Sequence, residues 1–271
     1  MRNILCPTDF SPAAQNAIVF AAKLAKVVGA DLTLLNIQSP VSIAAFELVS
    51  GKSTAVQSVK ELLEEQSNEV TNVFKVSCTA ELESSTLSLS RLISEKALGY
   101  DLLVMGTSGA DEYYQYFFGT NSYHVVKNSP VPVLLVPAEC GYAHITEIAF
   151  AYDYQKEHQL PVIQLSALSS MLECRIRVLQ IIKLSQKADA QRNMEELQKS
   201  ILRSNRSLDL AFDTIYSDDV IQSINGFMMK KEVDALAVCA VHHRFIEQLV
   251  HKSVIKTLSS IANYPLFVFH E

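Results

Sequence analysis

Asp101-Leu102-Leu103-Val104-Met105-Gly106, followed by Gly109 and then by Gly119-Thr120-Asn121-Ser122, is the stretch whose pattern decides the fold. A short, wholly apolar run bounded by glycine reads as a strand buried on both faces. Glycines at its end let backbone N–H groups approach an anion with no side chain in the way. Thr120, Asn121 and Ser122 are helix-starting residues, and Tyr123-His124-Val125-Val126-Lys127 continues with helical spacing. Free amides, hydroxyls and the positive end of a helix dipole therefore converge just beyond the strand, which points to a phosphate-bearing ligand.

Outward from this stretch, strand-like and helix-like runs alternate. Strands are expected at 3–9, 31–37, 74–82, 101–106 and 131–136, and helices at 12–28, 54–72, 86–98 and 120–128. The first helix is well punctuated: Ser11 caps it, Pro12 suits its first position and Gly29 ends it. Such alternation implies a parallel, doubly wound α/β sheet with right-handed crossovers.

The spacing Gly-x2-Gly-x9-Gly-Thr, with a strand before it and Val131-Pro132-Val133-Leu134-Leu135-Val136-Pro137 behind it, resembles the ATP-binding loop of the universal stress protein family. Asn3-Ile4-Leu5-Cys6-Pro7-Thr8-Asp9-Phe10-Ser11-Pro12 is similar to the family's first strand and its turn into helix one. The resemblance covers residues 1–138. It implies a strand order of 3-2-1-4-5, with ligand binding at the carboxyl ends beside the switch point between strands one and four. It also implies ATP as ligand. Pro7, Thr8 and Asp9 would face the adenosine, Ile37 and Met105 would wall the adenine, and Gly106, Gly109, Gly119, Thr120, Asn121 and Ser122 would hold the phosphates. Asp9 has a plainer role open to it, capping the strand-to-helix turn.

The same grammar then returns. Glu147-Ile148-Ala149-Phe150-Ala151-Tyr152-Asp153 echoes the first strand, Asp234-Ala235-Leu236-Ala237-Val238-Cys239-Ala240 echoes Asp101 to Thr107, and Tyr264-Pro265-Leu266-Phe267-Val268-Phe269 echoes the last. The expectation is two tandem five-stranded domains related by a pseudo-two-fold axis: 1–138 with the ATP-binding loop and 146–271 as a degenerate copy. An offset of 133 carries Gly106, Gly109, Gly119 and Thr120 onto Cys239, His242, Lys252 and Ser253, so the second half is expected to lack an ATP site of this kind. The first half has a longer connection after its second strand, and the apolar stretch from Gln38 to Lys52 suits a flap or a partner-facing segment. The two final strands, 131–136 and 266–269, are expected to pair within the chain as an intramolecular pseudo-dimer; a homodimer would use another surface, such as the 38–52 insertion.

Composition narrows the function. The 271 residues suit two domains, and 49% hydrophobic with 19% charged residues is globular. No apolar run reaches the roughly 20 residues of a membrane span, and Met1-Arg2-Asn3 leads into a strand rather than a signal peptide, so a cytoplasmic location is expected. A net charge of −6 with dispersed lysines argues against nucleic acid as a partner. Five scattered cysteines without a Cys-x-x-Cys pair argue against a disulfide framework or structural zinc. His242, His243 and His251 form a histidine cluster without motif spacing.

The segment from Ala110 to Phe118 holds Asp111 and Glu112 but no Lys or Arg. A triphosphate there needs backbone amides, Lys127, Mg2+ or a basic group from elsewhere. No nucleophile, base and orienting group occur in a recognisable set, and no Walker lysine is present, so any ATP hydrolysis is expected to be slow. Three functions are compatible with this pattern: an ATP-binding sensor or adaptor in stress response acting on an unknown protein partner, a scaffold of the same fold that binds no nucleotide, and a phosphotransfer or ATP-pyrophosphatase enzyme.

Overall fold

The computed structural model of the chain describes residues 2–40, 55–107, 120–152, 162–184, 209–239 and 264–269. The chain divides into two compact units, Met1–Tyr142 and Ala143–Glu271.

The first unit runs β1 (Asn3–Pro7), α1 (Pro12–Val28), β2 (Asp31–Gln38), α2 (Ala55–Phe74), β3 (Cys78–Ser84), α3 (Leu89–Ala97), β4 (Leu102–Thr107), α4 (Thr120–Asn128) and β5 (Val133–Pro137). Its strands are parallel in the order β3-β2-β1-β4-β5, the expected 3-2-1-4-5. Ile4, Leu5, Leu34, Leu103, Val104 and Leu134 are completely buried, as strands covered on both faces must be.

Helix α1 explains how the carboxyl ends of these strands are organised. Ser11 Oγ accepts from the Ala14 N–H at 3.2 Å, Pro12 occupies the first turn, and Gly29 closes the helix at φ 65°. Its buried face carries Ala14, Ala17, Ala21, Ala22 and Ala25, small residues that allow close approach to the sheet. The stretch after β5 is held to this helix: Asn16 Nδ2 donates to the Pro137 and Cys140 carbonyls at 2.8 and 2.9 Å. The Tyr142 ring also packs edge-on against Phe20 at 4.9 Å.

Strand three departs from the sequence reading. Helix α2 continues to Phe74, Lys75 turns the chain at φ 60°, and β3 starts only at Cys78, four residues later than expected. Leu63, Ser67 and Val70, spaced four and three residues apart and all buried, keep the helix on the sheet through this region.

The second unit contains β6 (Glu147–Tyr152), α5 (Val162–Leu172), β7 (Arg175–Ile182), β8 (Leu210–Tyr216), α6 (Val220–Lys231), β9 (Ala235–Cys239) and β10 (Leu266–Phe269). Its described strands are again parallel, in the order β8-β7-β6-β9-β10. Phe150, Phe267 and Phe269 fill its core. Arg177 bridges three strands, donating to Glu147 Oε1 at 2.6 Å and Asp213 Oδ2 at 2.7 Å.

The internal repeat is visible in hydrogen bonds. Asp101 Oδ2 accepts from the Arg2 and Asn3 amides, and Asp234 Oδ2 accepts from the Thr146 and Glu147 amides. In the first unit the Leu103 amide donates to the Pro132 carbonyl at 3.0 Å; in the second, the Leu236 amide donates to the Pro265 carbonyl at 3.0 Å. Strand register pairs Gly106 with Val136 and Cys239 with Phe269, so Cys239 stands in the second unit where Gly106 stands in the first.

Candidate functional site

At the carboxyl ends of β1, β2 and β4 lies a cavity of about 420 Å³, lined in part by Pro7, Thr8, Asp9, Ile37, Met105 and Gly106. Strand β1 supplies the first of these, β2 Ile37, and β4 the last two. Six residues picked out from separate segments of the sequence thus share one wall-to-wall space. Its size falls within the roughly 300–1,000 Å³ of small-molecule sites.

The loop from β1 into α1 is built by side chains bonding backbone. Thr8 Oγ1 accepts from the Phe10 amide at 3.1 Å, and Asp9 Oδ1 accepts from the Ser11 amide at 3.0 Å. Asp9 therefore does cap the turn, while its Oδ2 takes no partner among the described residues. The loop forces Phe10 to φ 64°, a left-handed conformation that a bulky residue adopts at a cost of about 1–2 kcal/mol. Phe10 is 37% exposed and lines the cavity.

A polar chain ties this loop to β2. The Thr8 amide donates to the Leu35 carbonyl at 2.8 Å, Asn36 Nδ2 donates to the Thr8 carbonyl at 2.7 Å, and Gln38 Nε2 donates to Asn36 Oδ1 at 2.6 Å. Asn36 is buried, and both amides line the cavity. The remaining wall is apolar: Val59 and Leu62 from α2, Leu89 and Ile93 from α3. Leu62 and Leu89 are 53% and 38% exposed, so an apolar surface borders the opening.

Gly106 has a structural reason beyond ligand approach. A Cβ placed on it would lie 2.3 Å from the Ala13 carbonyl oxygen and 2.6 Å from its carbon. The room left by the missing side chain is filled by the first turn of α1, which is thereby drawn over β4 at the cavity's edge.

Of the other expected site residues, Thr120, Asn121 and Ser122 open α4. Gly109, Gly119, Asp111 and Glu112 lie outside the described residues, as do Asp153, the 38–52 insertion beyond residue 40, and the His242, His243 and His251 cluster. Among the described residues no three His, Cys, Asp or Glu side chains form a metal-binding group, and no helix is long and apolar enough to cross a membrane.

Thiol chemistry is disfavoured at Cys6, Cys78, Cys140 and Cys174. Burial pushes the Cys6 thiol well up and the Cys78, Cys140 and Cys174 thiols up to about 12, 11 and 12, so none of them is a thiolate at neutral pH.

Sequence reasoning missed Phe10, Asn36, Gln38 and the helix residues of the wall. Asn36 left a trace as the polar residue interrupting Leu34-Leu35-Asn36-Ile37. The α2 and α3 residues left none, because only the folded chain brings them to the strand ends.

The sequence model described as the universal stress protein family matches residues 1–137. The chain belongs to the universal stress protein family. A curated universal stress protein of Synechocystis sp. is 23% identical over 292 residues, spanning 99% of this chain and 100% of that protein. Because that relative extends across both units, the chain is a tandem universal stress protein. The crystal structure of a universal stress protein from Archaeoglobus fulgidus superposes with a TM-score of 0.73 at 14% identity, covering 99% of this chain and 98% of that one. At that identity the likeness is one of fold.

Proposed function

We propose that the first unit binds an adenine nucleotide, ATP accompanied by Mg2+, and that the chain acts as a cytoplasmic sensor or adaptor in stress response. One observation carries this reading: Pro7, Thr8, Asp9, Ile37, Met105 and Gly106 line a single cavity of about 420 Å³. The donor set fits an adenosine. Ile37, Leu62, Ile93 and Met105 offer an apolar slot for a planar base, and Asp9 Oδ2 is a ready acceptor for ribose hydroxyls. Gly109, Gly119 and the amides at the start of α4 are assigned to the phosphates. Mg2+ would arrive with them, held mainly by phosphate and water.

Cys239 at the position of Gly106, with His242 and Lys252 at the positions of Gly109 and Gly119, supports nucleotide binding in the first unit alone. Nucleotide held by Gly109 and Gly119 would bias the chain toward the state that a protein partner recognises. Calorimetry with ATP and Mg2+ tests the reading: saturable binding at one site per chain, lost in Gly119→Val, is expected. No binding would favour a nucleotide-free scaffold, and multiple turnover of labelled ATP would favour an enzyme.

A further inference from the structure

We infer that Gln38, held in one orientation by Asn36, makes the cavity select adenine over guanine. The inference rests on the nucleotide reading above and goes beyond it by naming the residue that sets base preference.

The Thr8 carbonyl can only accept, so the Asn36 atom 2.7 Å from it is Nδ2. Oδ1 of Asn36 then faces Gln38, and the Gln38 atom meeting it at 2.6 Å is Nε2. A single backbone oxygen thus fixes the orientation of two side-chain amides in series. Asn36 is 3% exposed and Thr8 5%, so water does not compete effectively for the bond between them, and Gln38 beside them is half-buried.

Gln38 stands at the end of β2, lines the cavity, and adjoins Ile37 on the apolar wall. With one Nε2 hydrogen committed to Asn36, its remaining polar edge is the acceptor Oε1 beside the second Nε2 hydrogen. Adenine carries the complementary edge, an exocyclic amine donor next to a ring-nitrogen acceptor, and a glutamine amide matches it with two hydrogen bonds. Guanine carries a carbonyl oxygen where adenine has the amine, so Oε1 would face an acceptor. A freely rotating glutamine adapts to either base by turning over. The bond to Asn36 opposes that turn, and selectivity follows from it.

The test is calorimetric affinity of the full chain for Mg-ATP and Mg-GTP, in wild type, Gln38→Met and Asn36→Ala, with circular dichroism to check each fold. Wild type should prefer ATP by roughly 5- to 150-fold, the value of one bidentate base contact. Gln38→Met keeps length and apolar bulk, and should bring the ratio near one by weakening ATP. Asn36→Ala releases Gln38 and should narrow the ratio by tightening GTP. ATP preference undiminished in Gln38→Met would overturn the inference while leaving nucleotide binding intact. Failure of wild type to bind either nucleotide would overturn the nucleotide reading and this inference with it.

Discussion

Gly106 and Ala13 are in backbone contact: a methyl group on Gly106 would sit 2.3 Å from the Ala13 carbonyl oxygen, well inside any tolerated separation. The glycine on β4 therefore sets how closely α1 crosses the strand ends, and with it the shape of the cavity those ends enclose. The obstacle is backbone at a capped helix start, so it cannot swing aside as a side chain would.

Gly106→Ala should destabilise the protein by about 2–3 kcal/mol, the cost of overpacking without a flexible neighbour. Gly141→Ala, where an added Cβ meets nothing within 4 Å, should be neutral. Urea denaturation of both variants checks the contrast; equal stabilities would mean that the α1–β4 contact yields freely.

Asp101 accepts the Arg2 and Asn3 amides, and these bonds hold its carboxyl below the usual carboxylate range. A pKa lowered by folding contributes stability that is present above the unfolded value, near 4, and lost as pH falls through the folded one. Asp101→Asn should cost on the order of 1 kcal/mol at pH 7, given the exposure of the site, and progressively less below about pH 4. A stability difference that does not shrink between pH 7 and pH 3 would contradict this.

Phe10 combines a left-handed backbone with a ring on the cavity wall. Asn tolerates that conformation, so Phe10→Asn should stay within about 1 kcal/mol of wild-type stability, relief of strain offsetting lost packing. Nucleotide affinity should nevertheless fall. Thermal unfolding and calorimetry together check the separation, and affinity equal to wild type would remove Phe10 from the site.

Gln180 is completely buried on β7, and neither Nε2 nor Oε1 has a hydrogen-bond partner among the described residues. Its first-unit counterpart in strand register is Asn36, whose Nδ2 and Oδ1 each have a partner: Asn3 pairs with Asp31 as Glu147 pairs with Arg175. In the second unit Tyr152 and Ile182 stand at the positions of Thr8 and Gln38. Gln180→Met should stabilise the chain by about 1–2 kcal/mol by removing two unmatched polar groups at nearly constant volume. A lower melting temperature in this variant would contradict it.

Much of the fold was legible because it is written in local signals. The Ser11-Pro12 start and Gly29 end of α1 lie where the sequence puts them, and the Asp101 and Asp234 hydrogen bonds reproduce the repeat seen in the chain. The start of β3 was not legible, since the apolar spacing of α2 runs on past the point where strand propensity begins. The candidate cavity was half legible. Thr8, Asp9 and Gly106 sit at strand ends, where topology alone directs attention. Leu62, Leu89 and Ile93 reach the cavity only by packing over the sheet, and Gln38 matters only through its bond to Asn36, a relation between side chains that no periodicity reveals.

The most direct test of nucleotide binding in the first unit is a Mg-ATP titration followed by NMR of labelled Ile δ1 and Met ε methyl groups. Ile37, Ile93 and Met105 should shift saturably with a common affinity, while Ile148, Ile176 and Ile224 of the second unit stay in place. Saturable shifts centred on the second-unit methyls, or none at Ile37, Ile93 and Met105 at millimolar ATP, would contradict the assignment.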